Sequence, residues 1–288
     1  MRKTLLATLI LAALAACSDP ATTPQTMAPQ ETASTAAAPA DQSAANPFFA
    51  PSTLDFQAPP FDRIKDEHYL PAFEEGMKQH RAEIDAIAAQ AEPPTVANTI
   101  EAMERSGALL FRVSKVFFNL TESTTNETIQ KVQAEIAPKL AQHQDAIFLD
   151  AKLFARVKTI YDARETLGLD AETLRLVERY YQNFVRGGAL LGEEQKTRLR
   201  QLNEQLSSLQ TRFQEQLLKD TNDAALVVDS EAELAGLSPG DIASAAQTAK
   251  ERGLDGKWVI ALQLPTGQPA LSSLQNRSVR ERLFKASL

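Results

Sequence analysis

Large apolar side chains recur every three or four residues from residue 68 to residue 220, which predicts a succession of amphipathic helices. His68–Gln90 carries Leu70, Phe73, Met77, Ile84 and Ile87 on one stripe, with Pro71 early, where a missing N–H costs little. Asn98, with Glu101 three residues on, reads as a capping box. It opens a helix whose face holds Ile100, Met103, Leu110, Val113 and Phe117. Ile129, Val132, Ile136 and Leu140 mark a third, which Pro138 is expected to kink or break. Leu153, Phe154, Val157, Ile160 and Tyr161 mark a fourth. Asp170 caps a fifth, with Leu174, Val177, Tyr181 and Phe184 inward and a stop at Gly187-Gly188. The sixth, from Glu193 to about Asp220, is the longest at about 40 Å. Its apolar residues, Leu199, Leu202, Leu206, Leu209, Phe213 and Leu217, follow steps of 3, 4, 3, 4 and 4, close to a heptad. Packing between helices is the expected use of every such stripe.

The pattern changes after Asn222. Ala225–Val228 is a short β-like run, and Ser238-Pro239-Gly240-Asp241 is a helix start with cap, N1 proline and N3 acid, ending near Gly253. Lys257–Leu264 reads as a strand stopped by Pro265. From Asn276 to Leu288 a last helix begins, with Val279, Leu283 and Phe284 on one face, and stops without a cap, as in a chain that has been cut. The predicted fold class is mainly α: an elongated helical bundle with a small α/β-containing segment near the C-terminus.

The first residues carry an address. Arg2 and Lys3 precede an apolar run, Leu5–Leu14, too short to span a bilayer core of about 30 Å but suited to an export signal. Leu14-Ala15-Ala16-Cys17 looks like a bacterial lipobox, and Cys17 is the single cysteine. The expected order is a lipoprotein signal peptide over 1–16, lipidation at Cys17, and a tether over 17–47. That tether has no aromatic residue, Leu, Ile or Val from 18 to 47, so it cannot bury enough apolar surface to offset its ordering entropy. Several acyl chains give stable attachment, at about 0.8 kcal/mol per buried CH₂. Ser18 resembles the outer-membrane-sorted class, which places the protein on the periplasmic side. A helical region over 48–222 and an incomplete α/β segment over 223–288 follow.

Charge and motifs then limit the chemistry. The 288 residues carry a net charge of −7, against a nucleic-acid partner, which would need a basic face. The three histidines, His68, His80 and His143, are followed by YLPA, RAEI and QDAI, so none begins H-E-x-x-H. They read as helical surface residues, with His68 helping a helix to start. No G-x-S-x-G, Walker A or G-x-G-x-x-G sequence occurs. Gly187-Gly188 with Gly192 reads as a turn between helices or, alternatively, a hinge. Glu74-Glu75 and Glu193-Glu194 read as solvated faces. Arg277, Arg280 and Arg282 read as a solvent face or a seam for missing sequence. No catalytic, cofactor-binding or metal residue is identified.

Several segments, in order, resemble a known family. They are Pro60–Phe73 (PFDRIKDEHYLPAF), Asn98–Glu104, Ala137–Leu140 with Asp145–Ile147, and Arg175–Tyr181. Leu226–Val228, Leu234–Leu237, Lys257–Ile260 with Pro265-Thr266, and Leu274–Arg277 continue the series. Together they resemble the N-terminal part of the bacterial peptidyl-dipeptidases, in the thimet-oligopeptidase-like family of zinc metallopeptidases, over about residues 47 to 288. The resemblance implies a helical shell around a narrow channel, short unstructured peptides as substrates, and release of C-terminal dipeptides. It also implies Zn²⁺ held by an H-E-x-x-H helix and a downstream glutamate. That apparatus belongs to the C-terminal half of the family, beyond residue 288, so no site residue transfers and the fold is incomplete relative to the family's. Three readings follow: the front part of an exported metallopeptidase, inactive alone; a non-enzymatic helical lipoprotein acting as a binding or scaffold module; and a half completed by a separate catalytic half. The first implies exposed apolar faces on the last helix and at the missing interface.

Overall fold

The structure, a computed structural model, describes Asn46–Leu288. The signal segment 1–16, Cys17 and the tether up to residue 45 lie outside the described residues. The architecture is mainly α, as the periodicity predicts. Helices α1 (Tyr69–Ala88), α2 (Glu101–Arg105), α3 (Ala108–Ser123), α4 (Glu127–Phe148), α5 (Ala151–Ala163), α6 (Ala171–Arg186) and α7 (Glu193–Asp223) come first. Then follow β1 (Leu226–Val228), α8 (Pro239–Glu251), β2 (Trp258–Ile260), α9 (Leu264–Ser273) and α10 (Arg277–Ala286). The strands pair antiparallel, with Leu226 opposite Ile260 and Val228 opposite Trp258.

The helix starts are set by side-chain caps. Asn126, Asp150, Asp170, Ser238 and Asn276 each accept backbone N–H bonds from the first turn that follows them. Each such cap contributes about 1 kcal/mol.

Helix α1 serves two cores. Its first half supplies Tyr69 and Phe73 to a cluster with Phe48, Val113 and Phe117 from α3, and Ile129 and Ile136 from α4. Here the Phe117 ring meets Tyr69 and Phe73 edge-on, with centroids 5.1 and 5.2 Å apart. Its second half supplies Ile84 and Ile87 to a cluster with Ile100, Met103, Leu153, Val157, Val177 and Phe184. A further cluster of Leu226, Val228, Leu234, Ile260, Leu274, Val279 and Leu283 holds the C-terminal strands and helices together. The segment before α1 is pinned to the first core: Asn46 donates to His68 O at 2.9 Å, and Arg112 donates to Phe48 O at 2.7 Å.

Several expectations need correction. The cap before α2 is Thr95, not Asn98. Thr95 Oγ1 accepts from the Asn98 N–H at 3.1 Å, and Asn98 Oδ1 accepts from the Thr95 N–H at 2.8 Å, so Asn98 sits at N3. The helix predicted to run from Ile100 through Phe117 is split at Gly107, which has φ +73 and separates α2 from α3. Pro138 does not break α4, which continues to Phe148. The missing hydrogen bond, at a cost of about 3 kcal/mol, is offset because Ile136 lies in the first core and Ile147 in the second. The strand predicted over Lys257–Leu264 is only Trp258–Ile260. Pro265 then takes the first turn of α9, which has no apolar stripe to announce it.

Two corrections concern the ends of the pattern. In α10, Val279 and Leu283 are buried but Phe284 is turned outward, so the last helix keeps its main apolar face covered. Arg280 donates to Leu274 O and Gln275 O, and Arg282 donates to Val227 O at 2.7 Å and pairs with Glu233. Arg280 and Arg282 thus tie the C-terminal segment internally, while Arg277 and Arg282 remain exposed at its surface. The Gly187-Gly188 turn is packed: a Cβ on Gly188, at φ +99, would lie 2.7 Å from Leu199 Cδ2.

The largest departure is α7. This helix lies along α4, but with a polar face. Lys196 and Thr211 are its buried residues. Asn203 donates to Asp145 Oδ1 at 2.7 Å, and Gln133 to Gln214 Oε1 at 3.4 Å. The heptad stripe, expected in the core, is turned away from α4.

Candidate functional site

The histidines fall into two settings. His68 Nδ1 accepts the Lys65 N–H at 3.1 Å and so helps the first turn before α1 to form, as its sequence position suggests. His80 on α1 and His143 on α4 meet across the helices, His143 Nε2 to His80 Nδ1 at 2.9 Å. Their 63-residue separation hides this pairing from the sequence. A glycine seats the pair. Gly107 presses its backbone on the His80 ring, where a Cβ would come within 3.0 Å, and donates its N–H to Glu83 Oε2 at 2.7 Å.

Both imidazoles are held toward the neutral form. His143 is pushed down to about 4 by burial, by the neighbouring His80 and by Arg81. Burial also lowers His80, against the opposing pull of Glu83. The unfolded chain takes up protons near pH 6.5 while the folded chain does not. The stability from the neutral pair is therefore complete above about pH 6.5 and is lost as pH falls toward 4. Urea midpoints measured from pH 7.5 to pH 4.5 are expected to fall, and the fall is expected to be shallower in His143→Gln. An equal slope in both proteins would remove the pair from that dependence.

The histidine pair does not extend to a metal centre. Among the described residues, no group of three or more His, Cys, Asp or Glu side chains is placed to hold an ion. With no third side-chain donor placed beside the two imidazoles, the described residues do not assemble the set that the family resemblance implies for zinc. Three of the four paired glutamates form ion pairs: Glu74 meets Lys139, Glu75 meets Lys78, and Glu193 meets Lys196.

A groove lies between α3, α4 and α7. It has a volume of about 720 Å³, and its lining mixes apolar residues such as Phe118, Leu209 and Phe213 with polar ones such as Gln133, Ser207 and Gln214. The outward stripe of α7 forms one wall. Leu202, Leu206, Leu209, Phe213 and Leu217 are 44%, 53%, 58%, 68% and 55% exposed. Five large apolar side chains in a row, more than two fifths exposed, exceed the scattered surface leucines that any protein shows. A smaller cavity of about 70 Å³, between α8, β2 and α9, is lined by Ser244, Thr248 and Ile260 among others. Among the described residues, no helix is long and apolar enough to cross a membrane.

Comparison with known proteins gives this surface a context. No family model matches the chain. Dipeptidyl carboxypeptidase of Escherichia coli strain K12 is 46% identical over 241 residues, covering 84% of this chain and 35% of that protein. The chain is homologous to dipeptidyl carboxypeptidase. The Salmonella typhimurium protein of the same name is 46% identical over 242 residues, 84% of this chain and 36% of its own length. Oligopeptidase A of Escherichia coli is a more distant relative, 23% identical over 241 residues, 84% of this chain and 35% of its own. The chain spans about a third of the length of these curated relatives. The likeness agrees with the resemblance to an N-terminal part of a thimet-oligopeptidase-like enzyme.

Proposed function

We propose that this chain is the non-catalytic front part of an exported peptide hydrolase of the dipeptidyl carboxypeptidase kind. In this reading it acts with a zinc-binding part on short, unstructured peptides that lose C-terminal dipeptides. Its own share is to supply helical wall rather than chemistry. The observation that carries this reading is the 46% identity sustained over 84% of the chain.

The purified chain, supplied with zinc and a fluorogenic peptide bearing a free C-terminal dipeptide, is expected to release nothing above the protein-free rate. Without a ligated metal, nothing here lowers the pKa of water. Hydrolysis accompanied by one bound zinc per chain, measured on protein free of contaminating peptidase, would overturn the proposal.

The same reading places the protein on the periplasmic side of a membrane, held by lipid on Cys17. The basic start, short apolar run and lipobox-like Leu14–Cys17 support it. Expressed in a Gram-negative host, the chain is expected to incorporate labelled fatty acid, and Cys17→Ser to incorporate none. Equal labelling of both would exclude this anchor.

A second reading, a helical binding or scaffold lipoprotein, is favoured by the outward stripe of α7, a surface built for contact. It predicts capture of a partner without hydrolysis in any combination of parts.

A further inference from the structure

We infer that Tyr161 and Tyr181 form a site of oxidative modification, at which a diffusible one-electron oxidant joins the two rings by a carbon–carbon bond and so staples α5 to α6. This goes beyond the function proposed above and does not depend on it.

Three observations carry the inference. The first is the stack itself. The two rings lie with centroids 3.8 Å apart and planes 6° from parallel. Aromatic pairs usually meet offset or edge-on, with centroids about 4.5–7 Å apart, because two ring faces repel through their quadrupoles. Here Arg164 relieves that repulsion. Its guanidinium lies over the face of Tyr161 that Tyr181 leaves free, 4.1 Å from the centroid, and draws on the π density of the ring. Arg164 also donates to Tyr161 O at 2.9 Å, which fixes it in place. The buried Phe154 ring stacks against Tyr181, with centroids 5.9 Å apart. The two tyrosines are therefore held face to face from both helices.

The second observation is how that arrangement matches the chemistry of coupling. A tyrosine that gives one electron to an oxidant and its phenolic proton to water becomes a neutral phenoxyl radical. Its unpaired electron occupies the π system, on the oxygen and on the ring carbons ortho and para to it. The para carbon carries the side chain, so the Cε atoms are the carbons open to bonding. The π lobes point along the ring normal, so in parallel, touching rings a small in-plane slide sets a Cε of one against a Cε of the other. The two unpaired electrons then form the Cε–Cε bond. The hydrogen on each bonded Cε moves to its phenol oxygen, which restores both phenols. The sum is two electrons to the oxidant and two protons to water.

The third observation is selectivity. The chain has four tyrosines. Tyr69 is 1% exposed and lies inside the first core. Tyr180, although next to Tyr181 in sequence, donates its hydroxyl to Glu104 Oε1 of α2 at 2.6 Å. Among the described residues no other two tyrosine rings stack. Tyr161 and Tyr181 are each half-buried, so solvent is at hand to take the protons.

The test oxidises the purified full chain, in dilute solution, with ruthenium tris-bipyridine under light and persulfate as the final electron acceptor. The single-chain product is separated, digested and read by mass spectrometry. The expected product is lighter than the chain by two hydrogen atoms, shows the blue fluorescence of a biphenol, and yields one peptide pair joined through Tyr161 and Tyr181. Tyr161→Phe and Tyr181→Phe each keep a ring in the stack, as unchanged circular dichroism would show, and each is expected to abolish that link. Tyr180→Phe is expected to leave it unchanged. In concentrated urea, where the rings are no longer held together, the yield is expected to fall about tenfold. The joined chain is also expected to unfold at higher urea than the untreated one, because the link restricts its unfolded state. Oxidation that consumes Trp258 or the methionines while the joined pair is absent overturns the inference. So does a yield that is equal in the folded and unfolded chain, or tyrosine coupling found only between separate chains.

Discussion

Arg156→Ala is expected to destabilise the helical region by about 3–5 kcal/mol. Arg156 rises from α5 and is 6% exposed, yet among the described residues no carboxylate pairs with it. Neutral oxygens hold it instead. Nε donates to Thr99 Oγ1 at 3.2 Å, and one terminal nitrogen donates to Gln90 O and Glu92 O, both at 3.1 Å. The other terminal nitrogen donates to Gln90 Oε1 at 3.2 Å and Asn98 Oδ1 at 2.9 Å. The acceptors all lie on the segment that joins α1 to α2. Asn98 and Thr99 lie in a short helical turn, Val96–Ile100, while the carbonyls of Gln90 and Glu92 before it take their side-chain donors from the guanidinium. Alanine removes the donors of Gln90 O, Glu92 O and Gln90 Oε1 and opens a cavity where the side chain lay, while Asn98 Oδ1 keeps the Thr95 N–H. Lysine brings a charge but not the planar fork, so Arg156→Lys is expected to recover only part of the loss. Urea unfolding followed by circular dichroism measures it. A loss below about 1 kcal/mol for alanine would mean that the segment finds other donors.

Gly236→Ala is expected to cost about 3 kcal/mol or more and to act on the C-terminal core alone. Gly236 has φ +103, and a Cβ there would lie 2.1 Å from Ser273 O. Neither side can easily move. Leu237 N bonds to Leu234 O at 3.1 Å, and Gln275 N bonds to Ala235 O at 2.8 Å, clamping the loop onto the end of α9. Gly253 is the control: its φ is +71, but nothing lies within 4 Å of a Cβ, so Gly253→Ala is expected to cost only about 1 kcal/mol. The readout is local, because Trp258 is the single tryptophan and packs against this core. Its fluorescence transition should move to lower urea in Gly236→Ala, while the helical signal, which arises mostly from α1 to α7, stays near its original midpoint. Coincident transitions would show that the cores unfold as one unit.

Much of the helical order was legible because periodicity and caps are local properties. Leu153, Phe154, Val157 and Ile160 read correctly as the buried side of a helix, and Asp170 and Ser238 as caps, since a side chain one to three residues from its acceptor needs no distant partner. The shift from Asn98 to Thr95 marks the limit of that logic. Both residues can cap, and the outcome is linked to Arg156, 58 residues away, which also binds Asn98 Oδ1. α9 was illegible because a helix containing Gly267 and Pro269 carries no apolar period to detect. Of the candidate sites, the histidine pair gave no sequence signal, since only the packing of α1 on α4 brings the rings together.

By itself, then, the sequence determined the helical class, most helix starts, the kinship with a peptidase family and the absence of an H-E-x-x-H motif. Those follow from near neighbours along the chain or from ordered similarity across it. Only the tertiary structure decided which side of each helix is used. In α7 the stripe is a local fact, but its direction depends on a choice of partner. α7 turns Asn203 to the buried Asp145 of α4 and Gln214 to Gln133 at the surface, and leaves its leucines outward. The side of α7 that meets α4 is thus set by partners 58 and 81 residues away, which no local period of the sequence records.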